Sequence, residues 1–178
     1  MAPGLPTDPQ LVAAWRGGDE AAASALVRRH APVLGRYLRS RGAASSELED
    51  LVQEVFIRAF QGLDGWRGDA PLRGWLFRIA INLLRDRHRR GGGRIMVELM
   101  EDDRVDPADP AGELEAREAR ERLQSGLATL SPLQRDVFRL RIEDGLGYDE
   151  IAAALETTPG AARVHYHHAV RRLKECLE

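Results

Sequence analysis

The sequence predicts an all-α protein of two small helical domains joined by an acidic, flexible linker. Three observations predict it. Apolar residues recur at three- and four-residue spacing over most of the chain, and no period-two alternation of useful length occurs. Glycine and proline punctuate the helical stretches. One stretch, 95–112, is too acidic and proline-rich to bury a core of its own.

The first segment, about Asp8 to Arg41, reads as helices broken at Gly17-Gly18 and near Pro32, with Ala22, Leu26 and Val27 on one face and Val33, Leu34, Tyr37 and Leu38 continuing it. In SSELEDLVQEVFIRAF, Ser46 with Glu49 three residues on predicts a capping box. Leu48, Leu51, Val52, Val55, Phe56 and Ala59 form the apolar face of that helix, and Glu47, Asp50, Gln53, Glu54 and Arg58 lie largely opposite. After the glycine-rich QGLDGWRGDAP comes a helix over Leu72 to Arg90. Its stripe is Trp75, Leu76, Ile79, Ala80, Leu83 and Leu84, and its exposed positions are crowded with arginine. Gly91 to Gly93 end it. Helical patterning resumes at Glu113 and restarts at Ser131-Pro132, cap then first helical position. A short helix, Tyr148 to Leu155, and a last one opened by Thr158-Pro159 complete the chain. The domains are therefore expected at 8–94 and 113–178, with the linker at 95–112.

The chain has 178 residues and a formal net charge of only −2, which hides strong local asymmetry. Its lone cysteine, Cys176, excludes an internal disulfide and any multi-cysteine zinc site, and points to a reducing compartment. The stretch MAPGLPTDPQ lacks the basic and apolar regions of a signal peptide, and no apolar run approaches the roughly 20 residues of a membrane span. A cytoplasmic protein without membrane insertion is expected. No nucleophile–base pair, phosphate-cradling glycine loop or metal-ligand spacing is present, so an enzyme, a cofactor and a metal are not expected. HYHH at 165–168 is better read as part of a DNA-facing helix than as a metal site.

YDEIAAALETTPGAARVHYHHAVRRL has the form of a helix-turn-helix. Ile151, Ala152 and Leu155 are the buried set of its first helix, and the small alanines 152–154 let helices cross closely. Ala162, Tyr166, Ala169 and Leu173 anchor the second helix, leaving Arg163, His165, His167, Arg171 and Arg172 for solvent or DNA. A recognition helix presents its N-terminal half to base edges, while basic groups further along grip phosphates. The helix start at Thr158-Pro159-Gly160 suits a phosphate.

Three stretches in order carry a family resemblance: DLVQEVFIRAF at 50–60, WRGDAPLRGWLFRIAINLLRDRHRR at 66–90, and LSPLQRDVFRLRIEDGLGYDEIAAAL from Leu130. They resemble regions 2.2, 2.3–2.4 and 4.1–4.2 of sigma-70-class RNA polymerase sigma factors, specifically the extracytoplasmic-function group, over about Asp19 to Leu177. The resemblance implies a non-enzymatic initiation factor with two partners, core RNA polymerase and promoter DNA. Asp50, Gln53 and Glu54 would dock on the β′ clamp helices, and region four on the β flap. Trp66, Arg67, Gly68 and Asp69, with Arg78, Asn82, Arg85, Arg89 and Arg90, would capture the melted minus-ten strand. Thr158, Gly160, Arg163, His165, His167 and Arg171 would read the minus-thirty-five duplex. An anti-sigma protein is an implied further partner. A flipped base needs replacement stacking and hydrogen bonds, which an aromatic, a close-approach glycine and an amide supply. Trp75 lies on the apolar stripe and is expected in the core. Trp66, in a loop, is expected to be the more exposed tryptophan. The acidic linker, through Asp102, Asp103 and Asp106, would mimic nucleic acid in the polymerase channels.

The chain departs from the family at two places. RVHYHHAV carries His165 and His168 where arginine is usual, though Arg163 keeps its basic position. Glu156 stands where a small residue or glycine is common, and a positive φ there costs about 1 kcal/mol. The alternative is a stand-alone helix-turn-helix regulator, which explains the C-terminal half but leaves 66–90 idle.

Overall fold

A computed structural model describes residues 5–90 and 110–177 as helices and short connections, with no strand among them. Four helices form the first body: α1 (Asp8–Arg16), α2 (Glu20–Ser40), α3 (Leu48–Gly62) and α4 (Leu72–Arg90), with a 3-10 turn at Leu63–Gly65. Four form the second: α5 (Pro110–Thr129), α6 (Pro132–Ile142), α7 (Tyr148–Leu155) and α8 (Pro159–Leu177). The expectations for the linker acids Asp102, Asp103 and Asp106 fall outside the described residues. Helix α5 starts at Pro110, three residues before the Glu113 expected from the pattern.

Local chemistry sets most helix starts. The Asp19 side chain accepts a hydrogen bond from the Ala21 N–H at 2.9 Å and caps α2. Ser131 and Gln134 form a reciprocal capping box at 3.3 and 3.1 Å, with Pro132 at the first helical position, as the sequence predicts. Thr158 Oγ1 accepts from the Ala161 N–H at 3.1 Å and caps α8.

Two local expectations are corrected. The break near Pro32 does not occur, because α2 runs unbroken from Glu20 to Ser40. Proline sacrifices one backbone hydrogen bond, but residues before and after it, Leu26, Leu34, Tyr37 and Leu38, share one buried face, and that burial holds the helix together. The Ser46–Glu49 capping box is also absent. Residues 45–47 form a turn in which the Glu47 N–H donates to the Ala44 carbonyl at 2.9 Å, so α3 starts at Leu48 with Glu47 as its cap in helical geometry.

Asp8 ties α1 to α2 by accepting from Arg29 Nη1 at 2.6 Å and facing His30 Nε2 at 3.0 Å. Burial works to raise the Asp8 pKa, but those two partners outweigh it and hold the carboxyl below its ordinary value. In the second body, Arg135 reaches back to the carbonyls of Leu127 and Leu130 at 2.9 and 3.2 Å and fixes the α5–α6 corner.

The two bodies are packed together. One continuous apolar core runs from Leu26, Val55 and Phe77 in the first to Val137, Leu140, Ile151 and Ala162 in the second. A separate cluster, Leu127, Leu130, Ala169 and Leu173, joins α5 to α8. Helices α4 and α7 share the most extensive helix–helix contact among the described residues. At its centre is Gly74. A Cβ added there would meet the Glu150 carbonyl oxygen, the Glu150 Cα at 2.8 Å and the Ala153 Cβ at 2.9 Å, all on α7. The small alanines of α7 thus serve a close crossing with α4 as well as the packing on α8.

Candidate nucleic-acid and polymerase interfaces

Helix α3 buries Leu51, Val55, Phe56 and Ala59, which fixes its other side outward. Asp50 and Gln53 are exposed and Glu54 is half-buried, its carboxylate held by Arg58 Nε at 2.7 Å. Ile57, four residues beyond Gln53, is 43% exposed, so an acidic, polar patch ends in a bare aliphatic side chain. Sequence reasoning passed over Ile57. Its signal was an apolar residue displaced from the core face.

The loop between α3 and α4 is held from several sides. Trp66 is only 8% exposed, which corrects the expectation of an exposed tryptophan. Its indole Nε1 donates to the Ala70 carbonyl at 3.1 Å, and its ring joins the buried apolar core. A ring with its N–H satisfied and its surface buried shapes the loop and does not offer a stacking platform in this conformation. Arg16, at the end of α1, donates to the carbonyls of Leu63 and Trp66 at 2.5 and 2.7 Å and clamps the loop from outside. Sequence reasoning missed Arg16, because an arginine in a last helical turn reads as dipole compensation. What the loop displays are Arg67, Gly68 and Asp69, all exposed, with Gly68 at φ +82°. Gly68 and Asp69, with Trp66, Arg73, Arg29, Asp8 and Glu150, border an open cleft of about 510 Å³. Trp75 is half-buried, packed against Gly62 and the core, as expected.

On α4, Asn82, Arg85, Arg89 and Arg90 are exposed and Arg78 is half-exposed. Several α4 arginines face an acid of the chain: Arg78 lies 3.5 Å from Glu156, Arg85 3.9 Å from Asp136 and Arg87 2.7 Å from Glu47, and Arg89 pairs with Asp86.

The second body presents its helix-turn-helix as the sequence predicts. Helix α7 ends at Glu156, whose φ of 54° is the left-handed turn expected there. Thr158, Gly160, Arg163 and His167 are exposed along the first half of α8, with Arg171 one turn further. His165 is half-buried with Nδ1 enclosed and unpartnered, so it presents less of its ring than the sequence suggested. The Arg163 and Arg141 guanidiniums each lie over the Tyr148 ring, at 5.1 and 5.0 Å from its centroid, which orients Arg163. Among the described residues no cluster of histidine, cysteine and carboxylate side chains is arranged to hold a metal ion, and no helix is long and apolar enough to cross a membrane.

A helix-turn-helix with a basic recognition helix, beside a helical bundle that displays an arginine-rich helix and a clamped loop, defines a two-part helical nucleic-acid-binding protein. Residues 26–94 match the family described as Sigma-70 region 2, and residues 120–173 match Sigma-70, region 4. The chain is 32% identical over 166 residues to RNA polymerase sigma factor NccH of Alcaligenes xylosoxydans xylosoxydans, covering 90% of this chain and 89% of that protein. It is 33% identical to the ECF RNA polymerase sigma-E factor of Escherichia coli K12, covering 88% and 87%. It is also 36% identical to ECF RNA polymerase sigma factor SigE of Mycolicibacterium smegmatis, spanning 90% of this chain but 64% of that longer protein. Among solved structures it is similar to CnrH in complex with the cytosolic domain of CnrY, at TM-score 0.66 and 30% identity over 96% of both chains. The chain belongs to the sigma-70 family, as an extracytoplasmic-function RNA polymerase sigma factor. The match over 26–94 gives the segment 66–90 the place that a stand-alone helix-turn-helix regulator would leave empty.

Proposed function

We propose that this sigma factor docks on core RNA polymerase through α3, captures the melted minus-ten strand with the 67–69 loop and α4, and holds the minus-thirty-five duplex with α8. The observation that carries this is the outward side of α3. Asp50, Gln53 and Glu54, with Ile57 beside them, form a polar patch around one bare aliphatic group on a helix whose other face is committed to the core. A coiled-coil partner with basic and apolar positions suits such a surface. The duplex contacts are Thr158 and Gly160 at the α8 start, Arg163 and His167 toward bases, and Arg171 toward phosphate. On the first body, Gly68 and Asp69 border the cleft that takes an unstacked base, with Arg67 exposed beside it, Asn82 hydrogen-bonds a base edge, and Arg78, Arg85, Arg89 and Arg90 hold the strand. Trp66 acts here by shaping the loop. The similarity to CnrH, described in complex with CnrY, supports an anti-sigma protein as a further partner. The chain works as a specificity subunit, without chemistry of its own, in the cytoplasm where the polymerase acts.

Run-off transcription with core polymerase over a library of promoter sequences tests the reading. Promoter-specific transcripts are expected. Asp50→Arg is expected to weaken core binding about a hundredfold, the range seen when a charge is reversed at an interface centre, while binding of minus-thirty-five duplex stays the same. Transcription that ignores Asp50→Arg would overturn the docking assignment.

A further inference from the structure

Helix α8 turns one side to the core of the second body and the other outward. Ala162, Ala169 and Leu173 are buried, and the helix packs on α5, α6 and α7. Gly160, Arg163, Val164, His167, His168 and Arg171 lie on the exposed side. That side is polar or bare except at Val164, an aliphatic side chain left 52% exposed.

Single exposed apolar side chains are common on protein surfaces, and it is the place of Val164 that carries weight. It lies in the N-terminal half of α8, the part that a recognition helix presents to base edges. One turn before it is Gly160, where an added Cβ would meet nothing within 4 Å, so a groove wall can come close. Its polar neighbours are already oriented. The Arg163 guanidinium lies over the Tyr148 ring at 5.1 Å, and the His167 ring meets Tyr166 edge-on at 5.9 Å between centroids. Valine is itself stiff, because its branched Cβ leaves one strongly preferred rotamer in a helix. Its methyl groups therefore point in a fixed direction. Valine is also a poorer helix former than alanine, and half of this side chain stays in solvent, so the fold gains little from it.

We propose that Val164 is a specificity-determining residue that packs its methyl groups against the C5-methyl of a thymine in the minus-thirty-five duplex. The inference rests on the reading of α8 as the helix that enters that duplex. Of the four bases only thymine carries a methyl group in the major groove. Polar side chains such as Arg163 and His167 read donors and acceptors on base edges. An exposed aliphatic group gains by leaving water against another apolar group, and the thymine methyl is the one that duplex DNA offers there.

The test uses holoenzyme assembled from the full chain and core polymerase, bound to a duplex carrying the upstream element that run-off transcription selects. Each thymine of that element is replaced in turn by deoxyuridine, which keeps every hydrogen-bonding group and lacks only the C5-methyl. One replacement is expected to weaken binding about fourfold, the factor for one methyl group withdrawn from water. Val164→Ala, a change at an exposed position, is expected to bind the thymine and deoxyuridine duplexes within about 1.5-fold of each other, because removing either partner removes the coupling. Arg171→Ala is expected to weaken every duplex alike and to leave the preference for thymine intact. Holoenzyme that tolerates deoxyuridine at every position would overturn the inference, as would a thymine preference that survives Val164→Ala. Loss of core polymerase binding in Val164→Ala would overturn it too and make Val164 a protein contact. Failure of the underlying reading looks different: transcription indifferent to the whole upstream element would sink the assignment of α8 itself.

Discussion

The two proposed DNA-reading surfaces of this chain are prepared differently. On α4, Arg78, Arg85, Arg87 and Arg89 already have carboxylate neighbours, two of them from the other body. On α8, Arg163 is braced by Tyr148, and Thr158, Gly160 and His167 stand open. The loop beside α4 is nevertheless tightly shaped, by Arg16 from outside and by Trp66 from within. The proposed minus-ten surface is thus pre-formed and partly neutralised by the chain's own carboxylates, while Arg85, Arg89 and Arg90 stay exposed. A surface that melts DNA is costly to leave bare, because exposed arginines bind any polyanion. A surface that reads intact duplex needs less guarding, since its specificity comes from base edges.

The largest effect that can break this comparison is on the shared core. Phe77 is fully buried, tilts against Tyr37 at 5.0 Å between ring centres and lies under Arg73. Phe77→Ala is expected to cost about 3–5 kcal/mol in chemical denaturation. Because the core is continuous, the loss should appear in unfolding signals from both bodies. Leu173→Ala, in the α5–α8 cluster, is expected to cost about 2–5 kcal/mol but to register in the second body alone. Two equally local losses would mean that the bodies fold independently.

The next effect isolates the loop. Arg16→Ala removes two charge-assisted hydrogen bonds to the Leu63 and Trp66 carbonyls, worth about 1.5–3 kcal/mol together where partly buried. Promoter opening, followed by a fluorescent base at the minus-ten element, is expected to slow about tenfold, the rate equivalent of 1.4 kcal/mol. Binding of minus-thirty-five duplex should not change. Equal loss in both would show that Arg16 supports the whole protein and not the loop.

Much of this was legible in the sequence, and the exceptions have physical causes. Helix positions followed from capping residues and apolar spacing, because Ser131-Pro132 and Thr158-Pro159 announce their helices locally. Pro32 misled because local propensity said break while a continuous buried face, visible only once α2 is packed, said continue. On α4, the stripe through Leu76, Ala80 and Leu83 was plain, but Phe77 and Ile81 lie off it and are buried too. A helix apolar on two sides is enclosed on two sides, and Phe77 on the second side packs against Tyr37 of α2. Trp66 was misjudged because a loop position says nothing about whether its ring turns inward. The roles of Arg16 and Gly74 depend on partners 47 and more residues away and left no local trace.

A smaller effect sharpens the reading of the second body. Thr158→Ala removes the α8 cap and is expected to destabilise region 4 by about 1 kcal/mol. Glu156→Gly relieves a left-handed residue and is expected to stabilise it by about 1 kcal/mol. The same change deletes the partner of Arg78. It should therefore raise the melting temperature of region 4 while speeding hydrogen exchange at the α4–α7 contact, a pairing that a role confined to region 4 would not produce.

The smallest expected effect concerns pH and bears on how firmly the two bodies pack together. Burial is the largest influence on Asp144, whose side chain is 5% exposed, and it pushes the carboxyl from 3.8 up to about 6. Arg41 at the C-terminal cap of α2, Arg73 on α4 and Arg36 on α2 pull it down, Glu143 beside it pushes it up, and burial wins. A carboxyl whose pKa is raised in the packed state favours that state when protonated. Its contribution is complete below about pH 4 and is lost as pH rises through about 6. Part of the burial is region 4's own, so only a fraction of the shift reports the contact with the first body. Between pH 5 and 7 the ratio of packed to separated bodies is expected to fall about threefold, read by small-angle scattering at fixed salt. Asp144→Asn keeps the shape, removes the charge and should hold the ratio at its pH 5 value across that window. If the ratio rises with pH instead, the charged Asp144–Arg41 pair outweighs the cost of burying it.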